Sequence, residues 1–123
     1  MVMIKPNIFL VEDDNILSKT TEWRIRKAGY EFSGRAAGGK EAVGSVGQNN
    51  PDIVLIDIDM HGEMDGIATA DTIRTRYAIP MIFITSCMDR EIITRANKLG
   101  PKGYLVKPFD DKDLIAAIGA AFR

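Results

Sequence analysis

Apolar positions along this chain follow two alternating rhythms. Four short unbroken runs recur: Ile8-Phe9-Leu10-Val11, Ile53-Val54-Leu55-Ile56, Met81-Ile82-Phe83-Ile84 and Gly103-Tyr104-Leu105-Val106. Continuous apolar runs of this length predict strands covered on both faces, as in a parallel sheet. Tyr30 to Ala37 is more polar and predicts a strand near the sheet's edge. Between the runs the spacing turns helical. Leu17, Thr21, Ile25 and Ala28 share one face and stop at Gly29, a natural helix end. Ile67, Ala70, Ile73 and Tyr77 repeat the spacing before Pro80, and Ile92, Ile93, Ala96 and Leu99 repeat it up to Gly100. The last helix has an N-terminal signature, with Asp110 as cap, Asp113 at the third helical position and Phe109 placed to staple onto Leu114. Gly39 to Gln48 also reads as a helix, weakened by Gly44 and Gly47. The order is strand–helix repeated five times, which predicts a single α/β domain over 1–123, doubly wound, with helices on both faces of the sheet.

Composition narrows the class. With 123 residues, 46% hydrophobic and 27% charged, the chain is that of an ordinary globular domain. A formal net charge of −1 gives no basic field, so neither direct nucleic-acid binding nor an anionic membrane surface is expected. No apolar run reaches membrane-spanning length, and the start lacks a signal-peptide layout. The lone Cys87 forms no internal disulfide, which fits a reducing compartment and a cytoplasmic location. It reads as a small buried hydrophobe.

In open parallel sheets, ligands bind beyond the carboxyl ends of the strands. Four of the runs deliver polar groups there: Glu12-Asp13-Asp14 after the first, Asp57 after the third strand, Thr85-Ser86 after the fourth and Lys107-Pro108 after the fifth. One strand-end Asp is ordinary turn chemistry; acid, acid, hydroxyl and amine together are not. Glu12, Asp13 and Asp57 brought close repel one another, and a hard cation such as Mg²⁺ relieves that repulsion while keeping several waters. A free oxygen of Asp57 can then act as a nucleophile, with Lys107 and Thr85 offsetting the charge of a transferred phosphoryl group.

These residues resemble the response-regulator receiver domain, the CheY-like phosphoacceptor module of two-component signalling. The resemblance rests on "IFLVEDD", "PDIVLIDIDM", "MDGI", "MIFITS" and "GYLVKPF" in that order, and covers the chain from Ile8 to Phe122. It implies a five-stranded sheet of order 2-1-3-4-5. It also implies that Glu12 and Asp13 bind the metal with Asp57 and the backbone carbonyl of Asp59, that Asp57 accepts the phosphate, and that Thr85 and Tyr104 are switch residues. Lys107 would pair with the phosphoryl group, and the Lys107–Pro108 bond would be cis. Asp59 and Cys87 become candidates for tuning the phosphate, the side chain of Asp59 being either a tuner or a solvated loop acid. The implied donor is a sensor histidine kinase or phosphotransfer protein. The implied output surface, which would meet a partner or a dimer mate, lies on the last strand and the two helices beside it, around Arg90, Arg95, Lys98, Asp111, Lys112 and Asp113. No output module is expected within 1–123, so the chain either acts through separate proteins or belongs to a longer one.

The sequence departs from the family in one loop. Where Pro usually follows the phosphoacceptor by four residues and Gly by eight, this chain has His61 and Asp65, with Gly66 one residue late. Asp14 reads as a helix cap, Ser86 as a small residue beside a phosphate, His61 as an exposed loop residue and Trp23 as a ring off its helix's apolar face. Two other classes compete. "IDIDM" matches the Asp-x-Asp core of haloacid-dehalogenase-type phosphatases, with Asp57 as nucleophile and Asp59 as general acid, but that family's additional acidic pair comes late in the chain. A flavodoxin-like electron carrier would need a Ser/Thr/Gly-rich phosphate loop where "VEDDN" stands. The expectation is therefore a signalling acceptor rather than an enzyme, with only self-catalysed phosphotransfer and dephosphorylation.

Overall fold

Strands and helices alternate strictly in the computed structural model, which describes residues 5–86 and 89–122. They are β1 (Asn7–Val11), α1 (Asn15–Lys27), β2 (Glu31–Ala36), α2 (Gly39–Asn49), β3 (Ile53–Asp57), α3 (Gly66–Tyr77), β4 (Met81–Thr85), α4 (Arg90–Asn97), β5 (Gly103–Val106) and α5 (Asp111–Ala121). All strand pairings are parallel and the order is β2-β1-β3-β4-β5, as expected, with the polar strand at one edge.

Alternation along each strand divides the core in two. Ile8, Leu10, Ile53, Leu55, Ile82 and Ile84 point to one face, where Ile25 of α1 and Leu114 and Ile118 of α5 cover them. Phe9, Val11, Val54, Ile56, Met81 and Phe83 point to the other, under residues of α2 and α3 and Ala96 of α4. Both sets are apolar, which is why the runs lack a polar phase.

Side-chain caps fix most helix starts. Asp14 accepts the Leu17 N–H at 2.9 Å, Asp65 the Ala68 N–H at 2.8 Å, and Asp89 the Glu91 N–H at 2.8 Å. Asp110 and Asp113 form the expected reciprocal box. The helix least favoured by its sequence, α2, has a packing reason for one glycine: a Cβ at Gly47 would lie 2.6 Å from the Tyr77 hydroxyl, which donates to the Val43 carbonyl at 2.7 Å. One boundary differs from the periodicity. Helix α4 stops at Asn97, not Gly100, because Leu99 and Gly100 close tight turns back to Ala96 and Asn97. Of its residues only Ala96 is buried. No helix among the described residues is long and apolar enough to cross a membrane.

The late glycine of the loop after β3 has a steric purpose. A Cβ on Gly66 would stand 2.4 Å from the Asp57 carbonyl oxygen and 2.4 Å from the Ile58 Cα, both backbone atoms that cannot swing aside. The extra loop residue thus moves the glycine along the sequence to the point where α3 meets β3. Gly66→Ala is expected to lower stability by ~2 kcal/mol through overpacking. Gly44→Ala, which meets nothing within 4 Å, is expected to raise it by roughly 0.5–1 kcal/mol. Denaturant midpoints at unchanged slope measure both.

Candidate functional site

Asp57 ends a fully buried strand and is itself only 2% exposed. Its Oδ1 accepts the Asp59 N–H at 2.8 Å and its Oδ2 accepts the Lys107 ammonium at 2.8 Å. A buried carboxylate needs such partners. Lys107 follows β5, its own N–H donates to the Thr85 carbonyl at 2.9 Å, and its bond to Pro108 is cis. Just beyond, Arg24 of α1 donates through Nη1 to the Phe109 carbonyl, with its guanidinium 5.7 Å from the Phe109 ring centroid. The amine is therefore anchored from both sides. Burial works to lower its pKa, but the hydrogen bond and charge of Asp57, with the charges of Glu12 and Asp59, outweigh that and hold it above the usual lysine range.

On the opposite side of Asp57, the turn after β1 brings in two more acids. Glu12 is 1% exposed; its Oε2 accepts the Asp14 N–H at 3.2 Å, and its Oε1 has no hydrogen-bond partner among the described residues. Burial first, then the adjoining Asp57 carboxylate, push its pKa from 4.5 up to about 8, against the weaker pull of the Asp14 N–H and Lys107. Asp13 is exposed beside them. Glu12, Asp13 and Asp57 each offer an oxygen, and the three lie within 4.8 Å of one another. An orphaned buried oxygen, two neighbouring carboxylates and an open side suit a hard divalent cation such as Mg²⁺.

Asp59 is neither free in solvent nor aimed at Asp57. Its Oδ1 accepts the Thr85 hydroxyl at 2.7 Å; its Oδ2 accepts the Ser86 N–H at 2.6 Å and the Ser86 hydroxyl at 2.8 Å, with the Lys107 ammonium 3.7 Å away. Burial works to raise its pKa, but the Ser86 and Thr85 donors and Lys107 prevail and hold it below the ordinary carboxylate range. The reading of this side chain as a solvated loop acid is thus corrected by donors from the end of β4. Tyr104 stands one strand over, its hydroxyl donating to Asn97 Oδ1 of α4 at 2.5 Å and its ring edge-on to Phe83 with centroids 5.9 Å apart.

The structure brings Glu12, Asp13, Asp57, Thr85 and Lys107 together around one rim. Cys87 lies outside the described residues. His61 and Trp23 are exposed as expected, the latter with the Lys27 ammonium 4.8 Å from its ring centroid. Three contributors were missed. Arg35 of β2 donates from Nε and Nη2 to the Glu12 carbonyl at 3.1 and 2.9 Å, tying the acidic turn to the edge strand. Arg24 of α1 reaches the Phe109 carbonyl, and Ser86 is a donor to Asp59 as well as a small residue. Only an arginine inside the edge strand hinted at the first.

The response regulator receiver domain family matches residues 8–119. The transcriptional regulatory protein PdtaR of Mycobacterium tuberculosis is 35% identical over 114 residues, which cover 93% of this chain and 55% of that protein. The chain thus spans about half the length of this curated relative. The signal receiver domain of a modulated diguanylate cyclase from Desulfovibrio desulfuricans G20 superimposes with a TM-score of 0.91 at 36% identity, covering 96% of this chain and 94% of that one. The CheX-CheY-BeF3-Mg²⁺ complex from Borrelia burgdorferi contains a chain matching at a TM-score of 0.90 and 26% identity, over 98% of this chain and 91% of its own. With its fold, its acidic pocket and its match over nearly the whole length, the chain belongs to the response regulator receiver domain family of CheY-like modules in two-component signalling.

Proposed function

We propose that the chain is a cytoplasmic phosphoacceptor, in which Asp57 takes a phosphoryl group from a histidine kinase or phosphotransfer protein and the change switches a partner-binding surface. The observation that carries this is the Asp57 carboxylate at a strand end, buried, 2.8 Å from one ammonium and bordered by two further acids. A carboxylate oxygen attacks phosphorus, the bond to the donor's imidazole nitrogen breaks, and the electron pair leaves with that nitrogen. Lys107 is positioned to neutralise a phosphoryl oxygen, and Thr85 to donate its hydroxyl once it leaves Asp59. Glu12, Asp13, Asp57 and the carbonyl of Asp59 would hold Mg²⁺, which supplies charge neutralisation at the attacking and transferred oxygens.

Release of Thr85 would alter the packing beside Phe83 and Tyr104, and with it the α4-β5-α5 surface. Val106, 46% exposed, and the Ala116 and Ala120 side of α5 supply apolar area there for a partner or a second copy of the chain. The phosphatase alternative needs a protonated Asp59, whereas that carboxylate is held ionised by its donors. Receiver domains signal rather than turn over substrate, in keeping with this.

Asp57→Asn is expected to abolish labelling by a small acyl phosphate or a cognate kinase; undiminished, hydroxylamine-sensitive label on that variant would refute the assignment. Lys107→Ala is expected to bind Mg²⁺ at least as tightly, because one cation fewer competes for the acids, while the Tyr104 ring resonances no longer shift on phosphorylation. The raised Glu12 pKa sets a pH window. The folded, metal-free chain keeps a proton that the unfolded chain loses above 4.5, so this contribution to stability is complete below 4.5 and lost as pH climbs through about 8. Melting temperatures across that window are expected to fall with chelator and to be restored increasingly by Mg²⁺ as pH rises.

A further inference from the structure

The carboxylate of Asp59 sits among donors that a phosphoryl group on Asp57 would need. Three hydrogen bonds converge on it from the end of β4: the Thr85 hydroxyl at 2.7 Å, the Ser86 N–H at 2.6 Å and the Ser86 hydroxyl at 2.8 Å. Lys107 stands between the two acids, 2.8 Å from Asp57 Oδ2 and 3.7 Å from Asp59 Oδ2. The side chains of Asp59 and Lys107 are each only 21% exposed, so water is a limited substitute for these contacts. A phosphoryl group brings three strongly accepting oxygens and close to two negative charges, and its best partners are N–H, hydroxyl and ammonium donors held in place. Those donor types are present on the rim beside Asp57, and in the unmodified chain Asp59 engages them.

We propose that the Asp59 carboxylate is an internal competitor for the phosphoryl group: it holds Thr85, Ser86 and part of the Lys107 charge in the resting chain, and phosphorylation exchanges one anion for another at these donors. The inference rests on Asp57 being the acceptor. It goes further, because it makes Asp59 the residue that sets how strong an anion must be to claim Thr85. A weak or transient anion leaves the hydroxyl where it is. A bound phosphoryl group, with more charge and more oxygens, takes it. Asp59 is then a positioning residue for the resting state rather than a partner in the bond-making step.

The test uses the whole chain and beryllofluoride with Mg²⁺ as the probe, in wild type, Asp59→Asn, Asp59→Ala, Thr85→Ala and the Asp59→Ala/Thr85→Ala double variant, with Asp57→Asn as control. Loss of the competitor is expected to tighten Asp57-dependent binding roughly tenfold, about the size of one charge-assisted hydrogen bond. In the Thr85→Ala background the gain is expected to shrink to about threefold or less, because one contested donor is gone. In the unliganded Asp59→Ala chain, the Ser86 amide proton is expected to move upfield from its hydrogen-bonded position; Asp59→Asn, which keeps shape and one acceptor oxygen, should move it less. Equal affinity in wild type and both Asp59 variants, or an unmoved Ser86 amide, overturns the competitor. A gain of the same size with and without Thr85 overturns it too, since plain charge repulsion would then suffice. Absence of any Asp57-dependent binding in every variant would instead remove the acceptor reading on which the inference stands.

Discussion

The Lys107 ammonium lies against Asp57, the carboxylate that ends a buried strand, and the architecture serves that meeting. Asp57 and Lys107 are separated in sequence by β4, which lies between their strands, so the amine must reach across the end of β4 to arrive at 2.8 Å. Removing either partner of such a pair leaves the other buried without compensation. The amine is also shared, because Glu12 and Asp59 raise its pKa alongside Asp57. The rim therefore has more negative charge than its own positive charge can balance. Burial first, and that deficit second, raise the pKa of Glu12, and its unpartnered oxygen suits a cation.

The two sides of Asp57 have different characters. Toward β1 the groups are acceptors, held by an arginine that grips the Glu12 carbonyl rather than its side chain, so the carboxylate stays available. Toward β4 and β5 the groups are donors, already engaged by Asp59. A species that carries both a positive and a negative element fits between them, as a metal ion with a phosphoryl group does. Phe83 and Thr85 are two apart on β4 and so face the same side, and Phe83 meets the Tyr104 ring edge-on.

Much of this was legible in the residues. Unbroken apolar runs fixed the strands because both sheet faces are covered, and the acids, hydroxyl and amine following those runs could be assigned to one rim from parallel topology alone. Asp14 and Asp110 announced their caps by local spacing. What escaped notice depended on three-dimensional reach. Nothing near Asp59 in sequence indicates that its carboxylate turns toward Ser86, and nothing near Arg35 or Arg24 indicates that each would span to a backbone carbonyl on another element. The shifted Gly66 looked like a deviation because spacing was judged by residue count, whereas the constraint is a close backbone approach that the glycine meets at its new position. Helix α4 ended early because hydrophobic periodicity continues through a tight turn as readily as through a helix.

That short helix has a mechanical consequence. Its one buried residue is an alanine, and the Tyr104 hydroxyl on Asn97 is among its few ties to the sheet. Ile92 and Ala96 are its residues packed against the core, so a shift of this helix would expose a modest apolar surface. A ligand can bias an equilibrium between resting and displaced positions only by its own preference between the two states. Were the gap small, the proposed release of one hydroxyl group would be enough to carry an atomic-scale event at the rim into the outline that α4 presents to its surroundings.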